Sequence, residues 1–321
     1  MTYRWLLPEF IEDILPPDAW RLEWARRNLL DLFRAKGFQL VMPPLLEYIE
    51  SLQAGTGHDM ELLTFRLVDQ LSGRQLGLRA DITLQVARID AHGMNHTGIN
   101  RLCYAGSIMH TRPEGLNQSR EPFQIGAEIY GLASLEGDIE IQELMLEALR
   151  CTGLPQVTLD VGHVGLFRGL SRLAGVDEKT EADWFAALQN KDVPALDALA
   201  GVSGRLGTTL RQLADLNGDQ AVLARARRLL PDVPEIREAL HQLEQVARHF
   251  ADRLPLTFDL AELRGYHYHS GLVFAAYASG YPDAVARGGR YDDIGRAFGR
   301  ARPATGFSLD LRELLPSLPP V

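Results

Sequence analysis

The chain has 321 residues, 46% of them hydrophobic and 23% charged, an ordinary balance for a packed globular protein. This excludes a disordered chain, a collagen and a disulfide scaffold, and at about 150 residues per domain the length corresponds to roughly two domains. With 33 basic and 42 acidic residues the net charge is −9, which argues against general nucleic-acid binding, because phosphate neutralisation needs surplus Lys and Arg. Pro16-Pro17-Asp18 predicts a helix start with Asp18 as N-cap. Residues 19–36 then place Leu22, Ala25, Leu29, Leu32 and Phe33 on one helical face. Trp20 and Trp24 form a second apolar edge on that helix, suited to the core or to a subunit contact. Gly37 ends it, and residues 38–42 read as a strand stopped by Pro43-Pro44.

Residues 62–69 and 75–79 read as strands, 81–92 as a helix, and 101–109 and 121–130 as strands joined by a polar loop. Asp138 is expected to cap a helix running to Arg150, with Gly153 closing it and a short strand at 157–161. Glu136, Asp138, Glu140 and Glu143 suit the positive end of that helix better than an acid/base set. From about 170 to 253 the pattern is helical, at 182–189, 204–216, 220–230 and 234–254, and strands return at 256–260, 271–278 and 304–309. The expectation is an α+β fold on an antiparallel sheet: residues 1–169 and 254–321 form one core, interrupted by a helical insertion at 170–253.

Cys103 and Cys151 are expected to be reduced and mostly buried. No leader-like segment and no membrane-spanning run is read, so a cytoplasmic protein is expected. There is no Walker or dinucleotide loop and no nucleophile elbow; Gly55-Thr56-Gly57 reads as a plain loop. His267 and His269 share a strand face without a further ligand cluster, so neither a metal nor a cofactor is expected. Three stretches resist a bland reading. Leu78-Arg79-Ala80-Asp81-Ile82-Thr83 puts charges and a hydroxyl at a strand end. Period two places Gln124, Gly126 and Glu128 on one strand face, which suits either a polar ligand pocket or an internal hydrogen-bond network. The segment from Arg264 to Gly271 is dense in aromatic and hydrogen-bonding groups, and Arg287-Gly288-Gly289-Arg290 reads as a basic turn, for an anion or for a tight loop.

Together these stretches resemble one family. Gly37-Phe38 with Pro43-Pro44-Leu45-Leu46-Glu47 resembles motif one of class II aminoacyl-tRNA synthetases. The segment from Leu78 to Thr83 is similar to the Arg-Pro-Glu-x-Thr segment of histidyl-tRNA synthetases, and Gln124-Ile125-Gly126-Ala127-Glu128 to their motif two return strand. Arg264-Gly265-Tyr266-His267-Tyr268 resembles the family's Arg-Gly-Leu-Asp-Tyr-Tyr, and Gly288-Gly289-Arg290-Tyr291-Asp292 its Gly-Gly-Arg-Tyr-Asp. The order of motifs is also the family's, over nearly the whole chain. Two departures matter. His110 falls where motif two has its ATP-gripping arginine, with Arg112 as a partial substitute; Asp310-Leu311-Arg312-Glu313 stands where motif three reads Gly-Leu-Glu-Arg. A carboxylate there repels a triphosphate by about 1 kcal/mol at ~4 Å in water, and by more when desolvated. The chain as given ends at Val321, and the expectation is that the tRNA-reading domain is missing.

Such a pattern resembles the ATP phosphoribosyltransferase regulatory subunits, a synthetase-like family without catalysis of its own. The resemblance implies a role in histidine biosynthesis and a short-form catalytic subunit as partner. It also implies a homodimer within a hetero-octamer, L-histidine as feedback effector, and no tRNA or membrane. By the same resemblance, Asp81, Thr83 and Gln124 would meet the histidine ammonium, Glu128 the imidazole and Arg264 the carboxylate. Tyr268 and Tyr291 would line the site, and His269 stands where the family has its second Tyr. A histidine-activating ligase and a vestigial scaffold are the alternatives.

Overall fold

The computed structural model describes residues 5–320, except 55–57, 95–96, 114, 116–117, 203, 264 and 267. It divides into two compact units. The first comprises residues 1–133, 140–155 and 292–321. Its sheet runs in the order Gln39–Leu40, Asn100–Ser107, Phe123–Tyr130, Ala304–Asp310. The first pair is parallel and the others antiparallel, so the sheet is mixed rather than wholly antiparallel. A smaller antiparallel sheet orders Leu46–Tyr48, Gln75–Leu78 and Arg66–Val68.

The helix Asp18–Ala35 buries Leu22, Ala25, Leu29 and Phe33, the face its periodicity predicts, and Gly37 follows at φ 85°. Phe33 meets Phe307 edge-on with ring centroids 6.0 Å apart, which seats the helix on the sheet. The N-cap is Pro17, not Asp18; Asp18 lies in the first turn and pairs with Arg21 at 2.8 Å. The helix His58–Leu63 takes in Leu62 and Leu63, the start of the strand expected at 62–69, and leaves only Arg66–Val68 extended. The Leu62-Leu63 pair fits either period, and the Thr64 hydroxyl donates back to the Met60 carbonyl, a local bond that favours the helix. After Thr83–Arg88 the helix widens to a π-helix, Ile89–Met94. Its buried Asp90 accepts from Asn100 and from Arg302.

The second unit comprises residues 134–139 and 156–291. Its strands run Ala286–Arg290, Leu272–Tyr277, Thr158–His163, Leu256–Asp259, Asn217–Gly218. Helices Val164–Ala174, Glu178–Gln189, Val193–Val202, Gly204–Leu213, Ala221–Leu229 and Pro234–Phe250 belong to the same unit. Two elements depart from expectation here. The basic stretch 287–290 is strand, not turn, and buried Arg290 pairs with buried Asp138 at 2.7 Å. Asp138 is therefore no helix cap; the helix begins at Leu135. Cys103 is buried and its thiol is pushed up to about 11 by burial, whereas Cys151 is exposed, against expectation. No helix among the described residues is long and apolar enough to cross a membrane.

Candidate functional site

In the first unit, Asp81, Thr83, Gln124 and Glu128 come together around a residue that the motif reading did not assign to a site, Tyr104. Asp81 precedes the helix Thr83–Arg88, and its Oδ1 accepts from the Thr83 amide at 3.2 Å. The same oxygen accepts from Gln124 Nε2 at 2.6 Å, and Gln124 Oε1 accepts from the Ile82 amide at 2.8 Å. Thr83 Oγ1 lies 3.2 Å from the Tyr104 hydroxyl, which donates to Glu128 Oε1 at 3.0 Å. Asp81 is thus held by Gln124 and the Thr83 amide, and Glu128 by the Tyr104 phenol, which also meets the Thr83 hydroxyl.

Strand register makes room for this. Tyr104 pairs with Gly126, Gly106 with Gln124, and Gly306 with Glu128. A Cβ on Gly126 would lie 2.5 Å from the Tyr104 hydroxyl, and one on Gly306 only 1.4 Å from Glu128 Oε2. The glycines are what let a large polar side chain lie flat across the neighbouring strand. Tyr104 is fully buried. Burial first, then the charges of Glu128 and Asp81, hold its phenol well above its ordinary ionisation, so it stays a donor. The available signal for Tyr104 was an aromatic facing a glycine across a strand pair, which needs the register to be read.

The positions that depart from the synthetase pattern are engaged differently. Buried His110 bonds the Ala80 carbonyl through Nε2 at 2.9 Å. Asp310 Oδ1 accepts from the amides of Phe123 at 2.8 Å and Arg312 at 2.9 Å, and burial raises its carboxyl above the usual range. Arg312 reaches Glu121 at 3.0 Å and the Glu12 carbonyl at 3.3 Å. Arg112 is exposed and Glu313 half-buried.

In the second unit Tyr268, His269 and Tyr291 form one aromatic group. The Tyr268 and His269 rings are 4.3 Å apart, and each lies 6.5 Å from Tyr291. His269 is buried, its Nδ1 lies 3.2 Å from the Arg290 carbonyl, and burial depresses its imidazole to about 4. It is therefore neutral near pH 7. Tyr291 is buried and Tyr268 is 38% exposed. Arg264 and His267 lie outside the described residues. Among the described residues no three His, Cys, Asp or Glu side chains converge on a metal-sized position.

Comparison with known proteins gives a consistent picture. The family model described as histidyl-tRNA synthetase matches residues 10–314. A relative from Ralstonia nicotianae is 60% identical over 97% of this chain and 80% of its own length, and one from Thiobacillus denitrificans is 57% identical over 97% of both. Each bears the name ATP phosphoribosyltransferase regulatory subunit. A solved structure from Bacillus halodurans, titled as an ATP phosphoribosyltransferase regulatory subunit/histidyl-tRNA synthetase, superposes with TM-score 0.88 at 24% identity, over 99% of this chain and 84% of its own. A histidyl-tRNA synthetase from Nostoc superposes with TM-score 0.81 at 19% identity, over 98% of this chain and 75% of its own. These two likenesses establish the class II synthetase-like fold.

Proposed function

This chain belongs to the histidyl-tRNA synthetase family, and on that premise we propose that it is a regulatory subunit of ATP phosphoribosyltransferase that binds L-histidine and catalyses nothing itself. The relatives at 55–60% identity carry the regulatory-subunit name. The observation that carries the ligand reading is the network Asp81–Gln124 and Thr83–Tyr104–Glu128. Its carboxylates accept from the Gln124 amide and the Tyr104 phenol, neutral donors whose place an ammonium or an imidazole N–H can take. In this reading Asp81, Thr83 and Gln124 receive the ammonium and Glu128 the imidazole. Arg264, Tyr268, His269 and Tyr291 serve the carboxylate and the ring, as the family resemblance assigns them. Residues 1–169 and 254–321 act as the synthetase-like core, with 170–253 as its helical insertion.

The reaction itself, phosphoribosyl transfer to ATP, belongs to a short catalytic partner in a cytoplasmic hetero-octamer. Without that partner the chain forms a homodimer through the region Asp18 to Glu47. Trp20, Leu40, Met42 and Leu46 are exposed along it, and an isologous contact covers such a strip. Feedback requires histidine to prefer the inactive arrangement of the complex, at about 1.4 kcal/mol per factor of ten.

The test is a histidine titration of the reconstituted complex. Gln124→Ala and Glu128→Ala are expected to weaken inhibition at least tenfold while assembly and uninhibited turnover persist. Unchanged inhibition in both variants places the sensor elsewhere. Histidine-dependent pyrophosphate exchange into ATP, above a Glu128→Ala control, would instead establish the ligase alternative.

A further inference from the structure

We propose that Tyr266 is a positioning residue: it ties the loop that carries Tyr268 and His269 to the helices Val164–Ala174 and Glu178–Gln189, so that those helices set the loop's readiness for ligand. This rests on the assignment of Tyr268 and His269 to the histidine site. Tyr266 is held on its ring, its tip and its backbone. The ring packs edge-on against Phe167 with centroids 5.2 Å apart, and at a 32° tilt against Phe185 with centroids 5.3 Å apart. The Arg168 guanidinium sits 4.8 Å over the ring, and its Nη2 donates to the Tyr266 carbonyl at 2.9 Å. The hydroxyl donates to Glu181.

Phe167 and Arg168 come from the first helix. Glu181 and Phe185 come from the second, four residues apart and so on one helical face. One buried side chain therefore touches both helices. Burial, with Glu181 second, pushes the phenol up from its ordinary value, so the hydroxyl remains a donor at working pH. The matching family motif has Leu here, which has no hydroxyl to offer.

The other end of the loop is pinned as well. The Arg290 carbonyl accepts from the Ser270 amide at 2.7 Å and faces His269 Nδ1 at 3.2 Å. Asp138 holds the Arg290 guanidinium at 2.7 Å. Just before the first anchor Gly265 turns at φ 65°, where a Cβ would lie 2.6 Å from the His269 ring and 2.7 Å from that of Tyr268. Tyr268, the exposed aromatic, lies between the anchors. A shift of either helix moves Tyr266, and the short span carries Tyr268 and His269 with it. By linkage, a ligand that prefers one loop arrangement biases the helices in return.

Tyr266→Phe and Glu181→Gln in the full-length chain remove or weaken only the hydroxyl bond and keep the ring packing. Two readouts apply: amide hydrogen exchange at 264–270 without ligand, and calorimetry with L-histidine. Each variant is expected to speed loop exchange roughly fivefold and to weaken histidine binding by a similar factor, as loss of one net hydrogen bond implies. The strand Thr158–His163 should exchange as in wild type, and the double variant should be no worse than Tyr266→Phe alone, because both act on the same bond. Wild-type loop exchange in both variants overturns the tether whether or not histidine binds. A looser loop with unchanged histidine affinity overturns the positioning role. A looser loop in a chain whose wild type gives no heat with histidine supports the tether and instead removes the histidine reading it was joined to.

Discussion

Two neighbourhoods on the strand Phe123–Tyr130 use their polar side chains in opposite ways. Around Gln124 and Glu128, three bonds run from side chain to side chain, Gln124 to Asp81, Thr83 to Tyr104 and Tyr104 to Glu128, and two take main-chain amides, Ile82 to Gln124 and Thr83 to Asp81. At the strand's start, His110 and Asp310 bond the main chain, and Arg312 divides between Glu121 and the Glu12 carbonyl. A network of side chains can be re-paired to a small ligand by rotation about χ angles. A side chain that satisfies buried backbone amides cannot let go without leaving those amides orphaned, at about 1–3 kcal/mol each. The side-chain run Thr83–Tyr104–Glu128 is therefore free to exchange partners, whereas Gln124, through the Ile82 amide, and Asp310, through those of Phe123 and Arg312, hold backbone.

The most severe way to break this contrast is Gly306→Ala. Its Cβ would lie 1.4 Å from Glu128 Oε2, and overpacking of this kind costs about 1–3 kcal/mol, here at the upper end. Urea unfolding measures the loss, and Gly306→Ala combined with Glu128→Ala should recover part of it, the Ala127 carbonyl still lying 2.8 Å from the new Cβ. The aromatic group of the second unit gives the next effect. His269 is neutral and depressed to about 4, so between its ordinary value near 6.5 and about 4 the unfolded chain binds the proton and the native state does not. Stability falls as pH drops through that window, by about 2 kcal/mol from this group at pH 5 relative to pH 7. His269→Gln should remove that share of the pH dependence, read from urea midpoints at the two pH values.

Tyr104→Phe deletes the link between Thr83 and Glu128 and should cost about 1 kcal/mol of stability. It should also weaken histidine binding in calorimetry, whereas Arg312→Ala should leave that affinity as it is. Equal effects of the two variants on binding would erase the distinction between the neighbourhoods. The smallest effect is expected for Asp310→Asn. Burial raises the Asp310 carboxyl, so its favourable contribution is full below the ordinary carboxylate range and is lost as pH rises through the raised value. The Asn variant keeps an oxygen for the Phe123 and Arg312 amides, and its stability should gain on that of the wild type as pH rises across that range.

What was legible in the sequence is what leaves a local trace. The buried face of the first helix follows from a 3.6-residue period, and Gln124 and Glu128 from a period of two. The helices between 178 and 250 show through their breaks at Asn217-Gly218 and Pro231 to Pro234, although Val193–Val202 was missed. What stayed hidden depends on partners far along the chain. Asp138 has the position of a helix-start acid, and only the fold reveals Arg290, 152 residues away, as its partner. With that partner, the basic run 287–290 becomes a strand rather than a turn. Tyr104 leaves no local trace, because its importance lies in facing Gly126 across a strand pair.

The approach of Glu128 to Gly306 also orders the mutational steps open to this protein. While the glutamate stays, position 306 accepts nothing larger than hydrogen. Once the glutamate shortens, the chief obstacle is gone, and a small side chain at 306 has only the Ala127 carbonyl, 2.8 Å from its Cβ, to displace. A lineage that first fills 306 can no longer restore the glutamate in one step, because the returning carboxylate would meet the new side chain. Loss of the acid at 128 thus works as a ratchet, and a change of ligand class that begins there closes the way back behind it.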